Sequence, residues 1–263
     1  MQTFPRLFVT DLDGTALGGG YQPYGRFPDH FSDFLDRLTL RGCQWAINST
    51  WDVNGQWQLV LGSKVRSRPT FLMGSTGLRL ATWAEDGPVS VPDFDRLMDA
   101  RLEAVKQKSF YKLLRSLCAT FDPRVVAFWG HWLHFEYYER DAERIRTFAA
   151  RQDWAGMELL WELMANPARL IVYPAILGKD KNLCEALRIS GIPPDAVVAA
   201  GDEPADIAMM QSHAAKYGLC PGNAHEKLKA HVAAGSGGVG RMLCCDGVME
   251  AFNVLAQREK WDW

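Results

Sequence analysis

Two stretches of the chain, one near each end, follow the same rule: a short apolar run, a one-sided helix, then another apolar run. Residues 5–10 read as a buried strand. In "FSDFLDRLTLRG", Phe31, Phe34, Leu35 and Leu38 recur at helical spacing before Gly42, and "CQWAINS" reads as a second buried strand. Strand, helix and strand packed into about 45 residues make a βαβ unit, because parallel strands need a crossover of that length. The pattern returns in "NLCEALRISG", a one-sided helix closed by Gly191, then "DAVVAAG", a buried strand, and "PADIAMMQSH", a further helix. Between them the pattern changes. "FDRLMDARLEAVKQKSFYKLLRSL" and "DAERIRTFAARQ" read as long amphipathic helices, and the aromatic run "VVAFWGHWLHFEYYER" as one or two antiparallel strands. The expectation is an α/β protein with a Rossmann-like parallel sheet, residues 1–82 and 174–263, interrupted by an inserted domain at residues 83–173.

Composition narrows the function classes. A formal charge of −2 over 263 residues offers no electrostatic footprint for nucleic acid or an anionic membrane. No apolar run approaches the roughly 18 residues of a membrane span, and the N-terminus lacks the layout of a signal peptide. A cytoplasmic protein acting on small molecules is expected. Cys43, Cys118, Cys184, Cys220, Cys244 and Cys245 form no CxxC pair and read as reduced thiols, with neither zinc nor disulfides expected.

The chemistry gathers where strands end. "LFVTDLDGTAL" places Asp11 and Asp13 directly behind the first strand, and the crevice outside the carboxyl ends of parallel strands is where ligands bind. A turn or helix cap would also use Asp-Gly with a following Thr. The second cluster weighs against that reading: "AAGDEPADIAMM" puts Asp202 behind another buried strand and Asp206 four residues on. Carboxylates crowded into one crevice repel and call for a cation, and an incomplete cage of hard oxygen donors suits Mg²⁺. For Asp206, a favourable charge at a helix N-terminus is an equally good account.

"DLDGT" and "GDEPAD", about 190 residues apart, resemble the first and fourth motifs of the haloacid dehalogenase superfamily of phosphohydrolases. That resemblance implies that Asp11 is the nucleophile, Asp13 the general acid/base, and that Mg²⁺ is held by Asp11, the Asp13 carbonyl and Asp202, with Asp206 in support. Gly14 would border the phosphate. The second motif, a hydroxyl on the phosphate, falls on Ser49 or Thr50 of "INSTWD"; spacing to "TGR"-type members favours Ser49. Where those members have Gly and Arg, this chain has Thr50 and Trp51. The third motif, a lysine, falls on Lys179 or Lys181 of "ILGKDKNL", with spacing to Gly191 favouring Lys179. Asn223, in "PGNAHEK", either borders the pocket or makes a turn.

The insertion lies between the second and third motifs, which resembles the type 2 cap of subfamily IIB, the group of sucrose-phosphatase, mannosyl-phosphoglycerate phosphatase and the Cof-type sugar phosphatases. The resemblance implies a Mg²⁺-dependent phosphatase acting on a small phosphorylated metabolite, a sugar phosphate first among them. Two alternatives stay open: a phosphosugar mutase of the phosphomannomutase type, and a protein that keeps the fold and only binds. Aromatic residues around "AFWGHWLHFEYY" would either stack on a sugar, with His131, His134 or Arg140 binding hydroxyls, or pack against the helices of the insertion.

Overall fold

The computed structural model describes residues 4–18, 25–165 and 168–263. In chain order the first strands and helices are β1 (Leu7–Thr10), α1 (Asp29–Leu40), β2 (Gln44–Asn48), α2 (Val53–Gly62), β3 (Phe71–Gly74), β4 (Arg79–Thr82), β5 (Val89–Ser90) and α3 (Pro92–Val105). Then come α4 (Tyr111–Thr120), β6 (Val125–Phe128), β7 (Leu133–Glu136), α5 (Ala142–Ala150), β8 (Leu159–Ala165) and β9 (Ala168–Pro174). The chain ends with α6 (Lys179–Ser190), β10 (Val197–Ala200), β11 (Tyr217–Cys220), α7 (Glu226–Ala234), β12 (Gly238–Val239) and α8 (Cys244–Glu259). These divide into two compact units, Met1–Asp95 with Gly178–Trp263, and Arg96–Leu177. Trp83 to Asp95 thus stays with the first unit.

The first unit is built on an eight-stranded sheet in the order β12-β11-β10-β1-β2-β3-β4-β5. Pairing is parallel from β12 to β3 and antiparallel for β3-β4 and β4-β5. The strands β1, β3, β10 and β11 are buried at every position, which is why they read as continuous apolar runs rather than alternating ones. Helices α1 and α8 close one layer through an aromatic cluster: Phe34 and Phe252 lie edge-on at 5.3 Å, and both pack edge-on against Phe8 of β1. Phe252 is wholly buried. Burial of a side chain of that size stabilises by about 1.5–3 kcal/mol, so α8 is fixed to the centre of the sheet by its apolar face.

β1 sits in the middle of this sheet, between β10 and β2, with Thr10 level with Ala200 and with Ile47. The residues that follow these three strands, Asp11, Gly201-Asp202 and Ser49, therefore emerge side by side at one edge.

The second unit has a four-stranded antiparallel sheet, β6-β7-β9-β8, with its own core of residues such as Phe110, Leu117, Phe135, Ile145 and Leu170. The aromatic run expected as one or two strands is the β6-β7 hairpin, whose tip carries Trp129 stacked on Trp132 at 4.5 Å. The long helix expected over 94–117 is α3 and α4 joined through a π-helical turn, Lys106–Phe110. One expectation is corrected. Residues 204–213 do not form an α-helix; Pro204–Met210 is a 3₁₀ segment. Its start is tied back by the Asp206 carboxylate, which accepts the N–H groups of Asp202 and Glu203. No helix among the described residues is long and apolar enough to cross a membrane, and all six cysteines are free thiols.

Candidate active site

Asp11 is the first residue beyond β1. Its N–H still donates to Ala200 O, at 2.9 Å, so the ladder to β10 fixes the backbone while the side chain points past the end of the sheet. Asp202 comes off β10 beside it, and Thr15 Oγ1 donates to Asp202 Oδ1 at 2.9 Å. The turn between them depends on Gly14. Its φ is +75°, and a Cβ there would lie 2.1 Å from Asp202 Oδ2, so any side chain would displace the carboxylate. Gly201 makes a comparable close approach: a Cβ would meet the Asp206 side chain at 2.4 Å.

Of the two lysines left open by the sequence, Lys179 enters this group. Its ammonium donates to Asp11 Oδ1 at 2.6 Å and to Asp206 Oδ1 at 2.5 Å, and its side chain is only 4% exposed. Lys181, two residues on, pairs with Asp180 near the surface. Of the two hydroxyls, Ser49 is buried at the end of β2 and Thr50 is exposed. Asp13 is exposed, and its Oδ2 accepts the indole N–H of Trp51 at 2.7 Å. Asn223 braces the turn: its amide nitrogen donates to Gly14 O at 2.8 Å and its oxygen accepts the N–H of Cys244 at 2.7 Å.

Charge and burial compete here. Burial pushes the Asp11 carboxyl up to about 7, against the pull of Lys179, and pushes Asp202 up to about 8 with help from the charges of Asp11 and Asp206. Burial also works against the Lys179 ammonium, but the two carboxylates outweigh it and its pKa is raised. One ammonium is thus set among three carboxylates.

Residues 165–250 match the haloacid dehalogenase-like hydrolase family. No curated protein sequence matches the chain. Among solved structures, it is similar to the sucrose-phosphatase of Synechocystis sp. PCC6803, crystallised with sucrose and phosphate, at 12% identity and a TM-score of 0.65, covering 96% of this chain and 98% of that one. A Thermoplasma acidophilum protein superposes with a TM-score of 0.63 at 14% identity, again covering 96% and 98% of the two chains. The fold is that of the haloacid dehalogenase superfamily.

A haloacid dehalogenase core implies a metal, and the donor set can be tested against one. Asp11, Asp202 and Asp206 each bring a carboxylate oxygen to within 4.8 Å of the others, all three residues buried. An all-oxygen set with excess negative charge fits a small hard cation. Asp206 is placed to brace rather than bind: Oδ1 is taken by Lys179, and Oδ2 by the N–H groups of Asp202 and Glu203. The open donors in this core are those of Asp11 and Asp202.

Three participants escaped the sequence reading. Asn48 is wholly buried and donates to the carbonyl of Lys179 at 2.7 Å, tying the start of α6 to the end of β2. Thr15 orients Asp202, and Trp51 orients Asp13. Asn48 was visible only as a polar residue closing an apolar strand, and Trp51 only as a departure from "TGR". In the second unit, His134 pairs with Glu136 at 2.9 Å, His131 bonds the Trp129 carbonyl, and Arg140 lies over the Tyr138 ring.

Proposed function

We propose that the protein is a Mg²⁺-dependent phosphatase that hydrolyses a small phosphorylated metabolite, a sugar phosphate, through an aspartyl-phosphate on Asp11. The observation that carries this reading is the Lys179 ammonium held 2.6 Å from Asp11 Oδ1 within a cluster of buried carboxylates. That contact keeps a buried carboxylate available as a nucleophile and offers positive charge to an incoming phosphoryl group. Asp11 attacks phosphorus and the bond to the leaving oxygen breaks. The leaving oxygen takes a proton from the Asp13 carboxyl. Water then attacks the acyl-phosphate, loses a proton to Asp13, and releases phosphate with the Asp11 carboxylate restored. Asp11, the Asp13 carbonyl and Asp202, with Asp206 as brace, would hold Mg²⁺, which would neutralise charge on the phosphoryl oxygens. Ser49 and the Gly14 turn bind the phosphate.

One feature supports the sugar class: the likeness to a phosphatase solved with sucrose. The test is phosphate release from a panel of phosphorylated sugars, nucleotides and cofactors, with Mg²⁺ or with EDTA. Release from sugar phosphates that stops with EDTA and in Asp11→Asn, while the circular dichroism of that variant is unchanged, is the expected result. Full turnover in Asp11→Asn would overturn the mechanism, and release from another class alone would overturn the substrate.

A further inference from the structure

Trp51 occupies the position after Thr50, in the turn from β2 into α2, and its backbone is held from three directions. Its carbonyl accepts Ser75 N–H at 3.0 Å and Gln56 Nε2 at 3.1 Å, and its own N–H donates to Ser49 Oγ at 3.3 Å. Gln56 is itself wholly buried and also bonds the Met73 carbonyl at 2.8 Å. The indole is partly buried against the core of the sheet. A side chain fixed in this way presents its one polar atom in a set direction, and that atom meets Asp13 Oδ2 at 2.7 Å. Among the described residues no other hydrogen bond reaches the Asp13 carboxylate.

We propose that Trp51 is a positioning residue for proton transfer: its indole N–H holds Asp13 Oδ2 as an acceptor and leaves Oδ1 to carry the transferable proton. The argument is one of donors and acceptors. An indole N–H can only donate, so the oxygen it faces must offer a lone pair. A protonated Asp13 then carries its hydrogen on Oδ1, from which it passes to the leaving oxygen as the phosphorus–oxygen bond breaks. When water attacks, its proton returns to the same oxygen. Asp13 is exposed, so without this tether its carboxyl would rotate among several rotamers, and misplacement of a reacting group is costly to the rate.

The inference rests on the phosphatase reading, and its test separates the two. Trp51→Phe keeps the aromatic packing and deletes the donor; benzothienylalanine placed at position 51 keeps the shape of indole as well, should phenylalanine disturb the fold. Each is compared with the native chain on phenyl phosphate, whose leaving phenol has a pKa of about 10, and on p-nitrophenyl phosphate, whose leaving group is stable as an anion. General acid catalysis contributes about 10²–10⁴-fold where it is needed, so kcat should fall about tenfold or more on phenyl phosphate and only slightly on the nitrophenyl ester. An equal loss on both esters, or none, would overturn the proposal while leaving the phosphatase standing.

A second measurement does not depend on turnover. The indole ¹H–¹⁵N resonance absent from Trp51→Phe identifies Trp51 among the ten tryptophans. It should move in Asp13→Asn, and an unmoved resonance would overturn the hydrogen bond itself. If the native chain releases phosphate from neither ester nor any member of the panel, the phosphatase reading fails and the proton-transfer role fails with it, even where the resonance moves.

Discussion

Replacing Lys179 by methionine removes the ammonium that Asp11 and Asp206 share, while a side chain of similar length fills its place. In the native site Nζ donates to Asp11 and to Asp206, whose side chains are 8% and 0% exposed. Breaking a buried ion pair by deleting one partner costs about 3–5 kcal/mol, because the other charge is left uncompensated. The cost is bounded by proton uptake. Asp11 is already pushed up to about 7 with the lysine present, so without it the folded variant takes up a proton and removes part of the repulsion. The lower end, about 3 kcal/mol, is therefore expected. At about 2–4 °C per kcal/mol for a chain above 150 residues, Tm should fall by roughly 6–12 °C. The pH dependence has a definite sign. In the variant the folded state binds a proton that the unfolded carboxyl, at its ordinary pKa, does not, so stability falls as pH rises through neutrality. The deficit should be larger at pH 8 than at pH 6. Differential scanning calorimetry in EDTA at the two pH values measures both, and phosphate release should be lost at either. An unchanged Tm at pH 8 would refute the idea that this ammonium compensates buried charge.

Two further outcomes follow from local geometry. Gly14→Ala puts a methyl group 2.1 Å from Asp202 Oδ2 at a φ of +75°, so it should lower Tm by several degrees and reduce phosphate release. Activity and melting assays that match the native chain would contradict the close approach. Asp36 on α1 accepts the N–H groups of Arg66 and Ser67. Burial disfavours its charge, but these hydrogen bonds outweigh it and hold its carboxyl below the usual range. Asp36→Asn turns an NH₂ group toward one of those donors and should cost about 1–3 kcal/mol in urea unfolding at pH 7. Because the folded pKa is depressed, this stabilisation is present above the unfolded value near 4 and fades as pH falls through the folded one. A deficit that grows on acidification would be inconsistent with that origin.

The parts of the site that could be read from the sequence are those set by the strand grammar. Asp11 and Asp202 each follow an apolar run, and parallel neighbours in register bring their ends together, so two positions about 190 residues apart could be paired before any coordinates. For Ser49 over Thr50, and Lys179 over Lys181, the guide was spacing to the motifs of resembling proteins rather than the strand grammar. Each pair shares its chemistry and its neighbourhood, and what separates them is which side chain turns inward at a strand end or a helix start. The segment after Asp202 read as a helix because "PADIAMMQSH" has helical composition, but Asp206 spends its carboxylate on the N–H groups behind it and tightens the segment into a 3₁₀ turn. The β8-β9 hairpin was missed, although β9 alternates buried and half-buried residues along its whole length. Contacts such as Asn48 to Lys179 and Trp51 to Asp13 join side chains across loops, where neither periodicity nor spacing carries information.

The distribution of restraints around the site separates two kinds of task. The end proposed to hold the nucleophile is over-determined: Asp11 by its ladder bond to β10, Asp206 by two backbone N–H groups, Lys179 by two carboxylates and by the Asn48 amide on its carbonyl. A group that must meet phosphorus in line gains from that rigidity, since each fixed rotamer is entropy already lost before substrate arrives. Asp13 is different: it is exposed and held by one side-chain donor. A proton donor has to meet leaving groups of different shape and then receive water, so a single tether that fixes one oxygen and frees the other suits it better than a cage. The same contrast bears on which substitutions this fold can absorb. Changes around Asp11 disturb the buried charge balance and the sheet edge together, whereas deleting the indole donor at Trp51 removes one hydrogen bond to an exposed carboxylate.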